Sequence, residues 1–208
     1  MEAFVLQNGR VRLSAPNHGD IADITKYCAT DPELIRWTTI PHPYTEKSAI
    51  WFIDEYTKKG WADDTCYVWA IRRPTLAGEP EGPILGTVDL QGINAVSTGQ
   101  GSATLGYAAY PPGRGLGLLT EAARLVLSWA LDPDGLNLAR VAWSANAGNW
   151  RSRRVAWKLG FQFDGTIRAR ILARNPSDPR EDEWVATLLR GEPLHPNEPW
   201  PTDAPAFG

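Results

Sequence analysis

The chain has 208 residues, 43% hydrophobic and 22% charged, with a formal net charge of −3. This is an ordinary globular composition, long enough for one domain with a sizeable core. The acidic balance offers no basic face for nucleic acid, and no run of about 18 apolar residues exists to span a membrane. The start, MEAFVLQNGRVRL, lacks a basic segment followed by a long apolar stretch, so we expect a cytoplasmic protein without a signal peptide. Cys28 and Cys66 lie far apart without CxxC spacing, which favours two reduced thiols over a disulfide. His18, His42 and His195 form no paired-ligand pattern, so no metal is expected. Most of the ten tryptophans are expected in the core.

Arg10 to Pro16 alternates polar and apolar residues and predicts a first strand. Asn17 is placed to cap a helix with Ile21, Ile24 and Cys28 on one face, and Pro32 suits the first turn of a second helix. Thr45, three residues ahead of Ser48, opens an amphipathic helix that Gly60 is expected to close. CYVWAIRR predicts a strand, as do ILGTVDLQGI and ATLGYAAY, which STGQGS separates as a hairpin-like turn. TEAARLVLSWAL predicts a helix, LARVAWSA a strand, and NWRSRRVAWKLG a helix capped by Asn149 and ended by Gly160. FQFDGTIRARIL and DEWVATLLR close the series as strands. From Gly191 the sequence holds five prolines and no period. Residues 1–190 are therefore expected as one domain, with 191–208 a proline-rich tail on the surface or disordered. The order gives an α/β chain in which an antiparallel meander feeds one right-handed strand–helix–strand crossover.

Between the ATLGYAAY strand and the next helix lies PPGRGLGLLTEA. Glycine-rich strand-to-helix turns are places where proteins hold phosphates. The GxxxxGK[ST] loop of ATPases is excluded, because Leu118 and Leu119 follow the last glycine. The dinucleotide fingerprint GxGxxG fails as well: the sixth position is Leu118 counted from Gly113 and Thr120 counted from Gly115. A third reading, Arg-x-x-Gly-x-(Gly/Ala) with Arg114 and Gly117 in place, fits better, and an ordinary glycine-rich strand-to-helix connection stands beside it from the turn alone. There successive backbone N–H groups and the helix dipole can seat a pyrophosphate, with glycines allowing close approach.

Five motifs, in order, resemble the GNAT N-acetyltransferase superfamily, most nearly its RimJ/RimL-like branch. They are Leu105-Gly106-Tyr107, Arg114 to Ala122, Asn149-x-x-Ser152, Lys158-Leu159-Gly160-Phe161 and Asp164-Gly165. Trp37 to Ile53 also resembles the branch's loop and helix over the acceptor pocket. The resemblance implies a GNAT fold: a mixed central sheet of about seven strands, flanked by helices, with a splayed parallel pair. It implies acetyl-CoA as acyl-donor cosubstrate. Backbone groups of Tyr107, Ala108 and Ala109 would pair with the pantetheine arm entering the splay. Arg114, Gly115, Leu116, Gly117, Leu118, Leu119 and Thr120 would form the pyrophosphate turn. Asn149 would contact the cofactor arm, and Ser152 would give a proton or a hydrogen bond to the departing thiolate. The acceptor would be a primary amine, on a protein N-terminus or a small molecule, attacking directly in a ternary complex; a homodimer is a family-like expectation.

The chain departs from the branch at three places. Leu119 stands where the family has Gly or Ala, Thr104 replaces the glutamate often found before LGY, and Ile171 lies where another carboxylate is common. With those bases missing, Asp89 in GTVDLQ is the candidate general base, beside a water chain on backbone carbonyls. Asn149 and Ser152 also have plain readings as helix cap and first-turn residue. Arg151, Arg153, Arg154 and Lys158 read as a solvated helix face with one member a candidate for the 3′-phosphate. Trp37, Tyr44, Trp51 and Trp61 either line an acceptor pocket or pack, with packing favoured for at least two. The alternative function is a non-catalytic acyl-CoA-binding or interaction module on the same fold.

Overall fold

The computed structural model describes residues 1–76, 78–94 and 99–205. The sheet has eight strands in the order β1-β2-β3-β4-β5-β6-β8-β7. They are β1 (Leu6–Gln7), β2 (Arg12–Ser14), β3 (Cys66–Arg72), β4 (Gly86–Asn94), β5 (Gly101–Ala109), β6 (Leu138–Asn146), β7 (Gln162–Ile171) and β8 (Glu181–Leu189). The helices are α1 (Ile21–Thr30), α2 (Pro32–Trp37), α3 (Glu46–Trp51), α4 (Lys58–Ala62), α5 (Leu118–Leu131) and α6 (Trp150–Lys158). The GNAT-type mixed sheet is thus present, with one strand more than expected. The addition is β1, too short to show an alternating pattern.

By backbone contacts the chain divides into two compact units, Met1–Asn94 with Leu105–Val126, and Ala95–Thr104 with Leu127–Gly208. In the first unit β1, β2, β3 and β4 form an antiparallel series, with Leu13 opposite Ile71 and Val68 opposite Asp89. All seven residues of β3 are buried, as a strand covered on both faces requires. Ile24, Cys28, Leu34, Ala49, Ile53 and Tyr110 belong to one apolar cluster of this unit. Asn17 caps a single 3-10 turn, His18–Asp20, which runs into α1. Thr45 and Ser48 form a reciprocal capping box for α3.

Gly60 does not end the third helix, contrary to the sequence expectation. The helical path continues through a π-helical turn, Phe52–Thr57, into α4, and Gly60 lies inside it. A Cβ there would come within 2.6 Å of the Cys66 carbonyl, so this glycine serves close approach of helix to strand rather than termination. Arg72, buried on β3, pairs with buried Asp20 at 2.6 Å and also donates to Ser14 Oγ and Gly82 O. Each buried charge therefore has its partner, as desolvation demands.

In the second unit β5 pairs in parallel with β6, from Gly101 opposite Leu138 to Thr104 opposite Ala142. β8 then pairs antiparallel with both β6 and β7. Ser97 and Thr98 of the expected STGQGS turn lie outside the described residues. Residues 191–205 pack on α6: Trp157 Nε1 donates to Glu198 O at 2.8 Å, and Trp200 lies edge-on to Trp157 and Trp150. Gly160 has φ of 87°, and a Cβ there would collide with Pro193 O. The tryptophan expectation overshoots. Trp61, Trp69, Trp143 and Trp184 are buried, Trp51 is exposed, and the rest are half-buried. Large indoles on a thin layer keep an edge at the surface.

Candidate functional site

The glycine turn begins where β5 ends. Tyr110 N donates to Leu85 O at 3.0 Å, and a 3-10 turn follows over Pro111–Gly113. A Cβ on Gly113 would collide with the Leu85 carbonyl, so the chain can pass this point only as glycine. Arg114 then locks the turn. Its Nε donates to Ala109 O at 3.1 Å, and its two Nη atoms grip Asp31 at 2.9 and 2.8 Å. Asp31 Oδ1 also caps α2 through Leu34 N. Burial pushes the Asp31 carboxyl upward, but hydrogen bonds from Arg114 and the backbone, with the Arg114 charge, hold it below the ordinary range. The guanidinium of Arg114 is therefore committed to fixing the loop.

Gly115 and Gly117 have φ of 73° and 72°, a left-handed backbone that other residues adopt only at a cost. Leu116 is exposed at the tip, Leu118 is buried beneath it, and Leu119 and Thr120 are half-buried. Among the described residues, the first N–H past Arg114 to find an acceptor in the chain is that of Glu121, which donates to Gly117 O at 3.2 Å. The N–H groups from Gly115 to Thr120 are left over, at the positive end of a 14-residue helix. Such a nest suits an anion of pyrophosphate size. The backbone donors of the turn thus suit the phosphate expectation, with Leu119 half-buried beside them.

Tyr107, Ala108 and Ala109 are the last three residues of β5, all half-buried. Asp89 projects from β4 toward the same strand. A Cβ on Gly106 would collide with Asp89 Oδ1 and stand 2.8 Å from Gln91 Nε2. The glycine of the LGY motif is thereby explained: it makes room for a carboxylate. Asp89 Oδ1 accepts from Gln91 Nε2 at 2.7 Å. Burial raises the Asp89 carboxyl to about 6, against the lowering effect of the Gln91 hydrogen bond. A carboxylate at that value is poised to accept a proton near neutrality. Neither cysteine competes as a nucleophile. Both are free and buried, and burial pushes the thiols of Cys28 and Cys66 up to about 11 and about 12.

In the second unit, Asn149 caps α6. Its Oδ1 accepts from Ser152 N at 3.1 Å, so the plain cap reading holds whatever else the side chain does. Ser152 Oγ accepts from Trp143 Nε1 at 3.2 Å, which fixes the hydroxyl oxygen. The basic run on α6 is not a uniformly solvated face. The Arg153 guanidinium lies 3.9 Å from the Phe163 ring centre and 4.8 Å from that of Trp184.

The aromatic residues of the acceptor segment divide. Trp61 and Tyr44 are core, Trp37 stacks under Arg36 at 4.2 Å, and Trp51 is exposed beside Tyr56. Among the described residues no cluster of three or more His, Cys, Asp or Glu could hold a metal ion, and no helix is long and apolar enough to cross a membrane.

Sequence reasoning missed two contributors. Asp31 clamps Arg114 from 83 positions away, a distance no local pattern reveals. The β1–β2 hairpin brings Arg10 to the glycine turn, where its Nη2 donates to Leu116 O at 3.2 Å. Its Asn8-Gly9 pair is a turn signal that could have found it.

Comparison with known proteins bears on the family and the fold. The sequence profile of the acetyltransferase (GNAT) domain matches residues 10–162. YdaF of Bacillus subtilis (strain 168), named as a candidate ribosomal N-acetyltransferase, is 32% identical over 88 residues. That match spans 42% of this chain and 45% of the relative, less than half of its length. Solved structures that share the fold include the following two. RimL, a ribosomal L7/L12 α-N-protein acetyltransferase solved with coenzyme A, has a TM-score of 0.74 at 12% identity, covering 89% of this chain and 98% of its own. The microcin C7 self-immunity acetyltransferase MccE, solved with acetyl-CoA and AMP, has a TM-score of 0.71 at 17% identity, covering 88% and 93%.

Proposed function

The chain belongs to the GNAT acetyltransferase family, and from that premise we propose that it transfers an acetyl group from acetyl-CoA to a primary amine, first of all a protein N-terminal α-amine. The observation that carries the reading is the run of N–H groups from Gly115 to Thr120 without acceptors among the described residues. Bound there, acetyl-CoA supplies a thioester whose carbonyl carbon is open to an amine.

The chain's own residues do the rest. Amides of the turn neutralise the pyrophosphate, and Arg114, clamped to Asp31 and Ala109 O, keeps them convergent. Backbone groups at Tyr107, Ala108 and Ala109 align the arm, and a strand amide there donates to the acyl oxygen. Asp89 accepts the proton of the incoming ammonium, directly or through one water. With its carboxyl at about 6, it is suited to an α-amine of pKa near 8 rather than a lysine near 10.4. The name of RimL, an α-N-protein acetyltransferase, points the same way. Ser152, its oxygen fixed by Trp143, donates to the departing sulfur, and Asn149 uses its amide nitrogen on the cofactor arm while its oxygen caps α6.

The test is release of free CoA thiol from acetyl-CoA in the presence of peptides with free N-termini, the same peptides N-terminally blocked, and small amines. Turnover with free but not blocked peptides is expected. Binding of acetyl-CoA without turnover on any of them would replace the enzyme by the non-catalytic binding module.

A further inference from the structure

Most arginines of the first unit are spoken for. Arg114 is paired with Asp31, Arg124 with Glu121, Arg12 with Glu81, and Arg72 with Asp20 and Glu81. Two are not. Arg10 and Arg73 are exposed, and among the described residues neither has a carboxylate partner. Both line one cavity of about 370 Å³, together with Gly9, Pro74, Leu116 and Leu118.

The position of Arg10 is built rather than incidental. Asn8 Oδ1 accepts from the backbone N–H groups of Arg10 and Val11, at 2.8 and 3.1 Å. Asn8 N donates to Val11 O at 3.0 Å, closing the hairpin turn. Asn8 Nδ2 in turn donates to Glu121 Oε1 at 2.7 Å, tying the hairpin to the first turn of α5. The Arg10 guanidinium is thereby held at the wall of the glycine turn, on Leu116 O and 3.6 Å from where a Gly117 Cβ would stand. The nearby carboxylates Glu121 and Glu81 are each already engaged by other groups. The cavity therefore presents two uncompensated positive charges, next to but separate from the backbone nest.

We propose that Arg10 and Arg73 form a second anion subsite that takes the terminal 3′-phosphate of the coenzyme, while the turn's amides take its pyrophosphate. The inference rests on the coenzyme reading above and adds a selectivity to it: the site distinguishes CoA from dephospho-CoA. A phosphate monoester carries close to two negative charges near neutral pH, which two guanidinium groups match with charge-assisted hydrogen bonds. It also moves the 3′-phosphate contact from the α6 basic run to the β1–β2 hairpin and the end of β3.

Calorimetric titration of the full chain with CoA and with dephospho-CoA tests this, in the wild type, Arg73→Ala, Arg10→Ala and the double variant. Arg73 has no side-chain partner among the described residues to lose, so Arg73→Ala leaves the fold intact. The wild type is expected to prefer CoA by about five- to tenfold at low salt, a preference that shrinks as salt rises. Each single variant reduces that ratio, and the double variant brings it to about one by weakening CoA alone. A wild-type ratio near one, or a ratio unchanged in the double variant, overturns the subsite. Equal loss for both ligands in the double variant also overturns it, by placing the arginines on the pyrophosphate. A wild type that binds neither ligand overturns the coenzyme reading itself.

Discussion

Two helices begin next to residues expected to meet the cofactor, and they begin in opposite ways. At α6 the chain closes its own end: Asn149 Oδ1 takes the N–H of Ser152. At α5 it does not. Two left-handed glycines lead in, Arg114 is anchored elsewhere, and the amides from Gly115 to Thr120 have no acceptor among the described residues. A chain that spends an asparagine on one helix start has the means to cap the other. On the proposed reading the open start keeps its donors for a ligand, and the closed start is a structural one that can lend a side-chain atom.

The sharpest way to break this contrast is to place an anion in the open start. Gly117→Asp sets a carboxylate against the amides and forces an L side chain onto a φ of 72°. Acetyl-CoA affinity is expected to fall on the order of 100-fold, measured calorimetrically beside a melting curve that checks the fold. Unaltered affinity would mean that the turn holds no phosphate.

Asp89→Asn removes the proton acceptor next to that site, and turnover is expected to drop about 100-fold with acetyl-CoA affinity kept. The sign of the pH dependence follows from the raised carboxyl. Below about 6 Asp89 is protonated and cannot accept a proton, so wild-type kcat/KM should climb through that pH and the variant should lack this limb. Stability should move the other way. Asp89 costs the folded state only when charged, so Asp89→Asn should melt higher than wild type at pH 7, and the gap should close as pH falls below its ordinary carboxylate value. A variant with an unchanged acid limb would clear Asp89 of the role.

Ser152→Ala should lower kcat about tenfold and leave acetyl-CoA affinity nearly intact; unchanged turnover would remove Ser152 from the mechanism. The smallest effects separate the two ends of Asn149. Asn149→Asp keeps an oxygen cap and loses the amide donor, so it should hold the melting temperature and weaken acetyl-CoA about threefold. Asn149→Ala should lose the cap as well, about 1 kcal/mol of stability. Equal behaviour of the two variants would leave Asn149 with one role only.

What was legible in the sequence was what local chemistry writes there. Asn17, Thr45 and Asn149 announce their caps, the apolar runs of β3 and β4 carry the architecture, and the glycine spacing of the turn carries its proposed phosphate end. Asp89 was a candidate by elimination. That it lies against Gly106 and is raised by burial depends on how β4 sits on β5, which neither segment encodes alone. The role of Arg114 was read through the motif as cofactor contact, whereas its guanidinium is held by Asp31 and Ala109 O. Gly60 looked like a helix end because glycine usually is one, yet here close packing on Cys66 dictates it. The packing of 191–205 on α6 depends on Trp157 and Trp200 meeting across more than 40 residues, invisible to composition, which shows only prolines.

The central claim is that the open start of α5 holds the coenzyme, and one titration tests it most directly: acetyl-CoA into the wild-type chain, with Gly117→Asp alongside. The account predicts one-to-one binding at micromolar strength that the substitution weakens on the order of 100-fold. No detectable binding to the wild type, or equal binding to both, would contradict it.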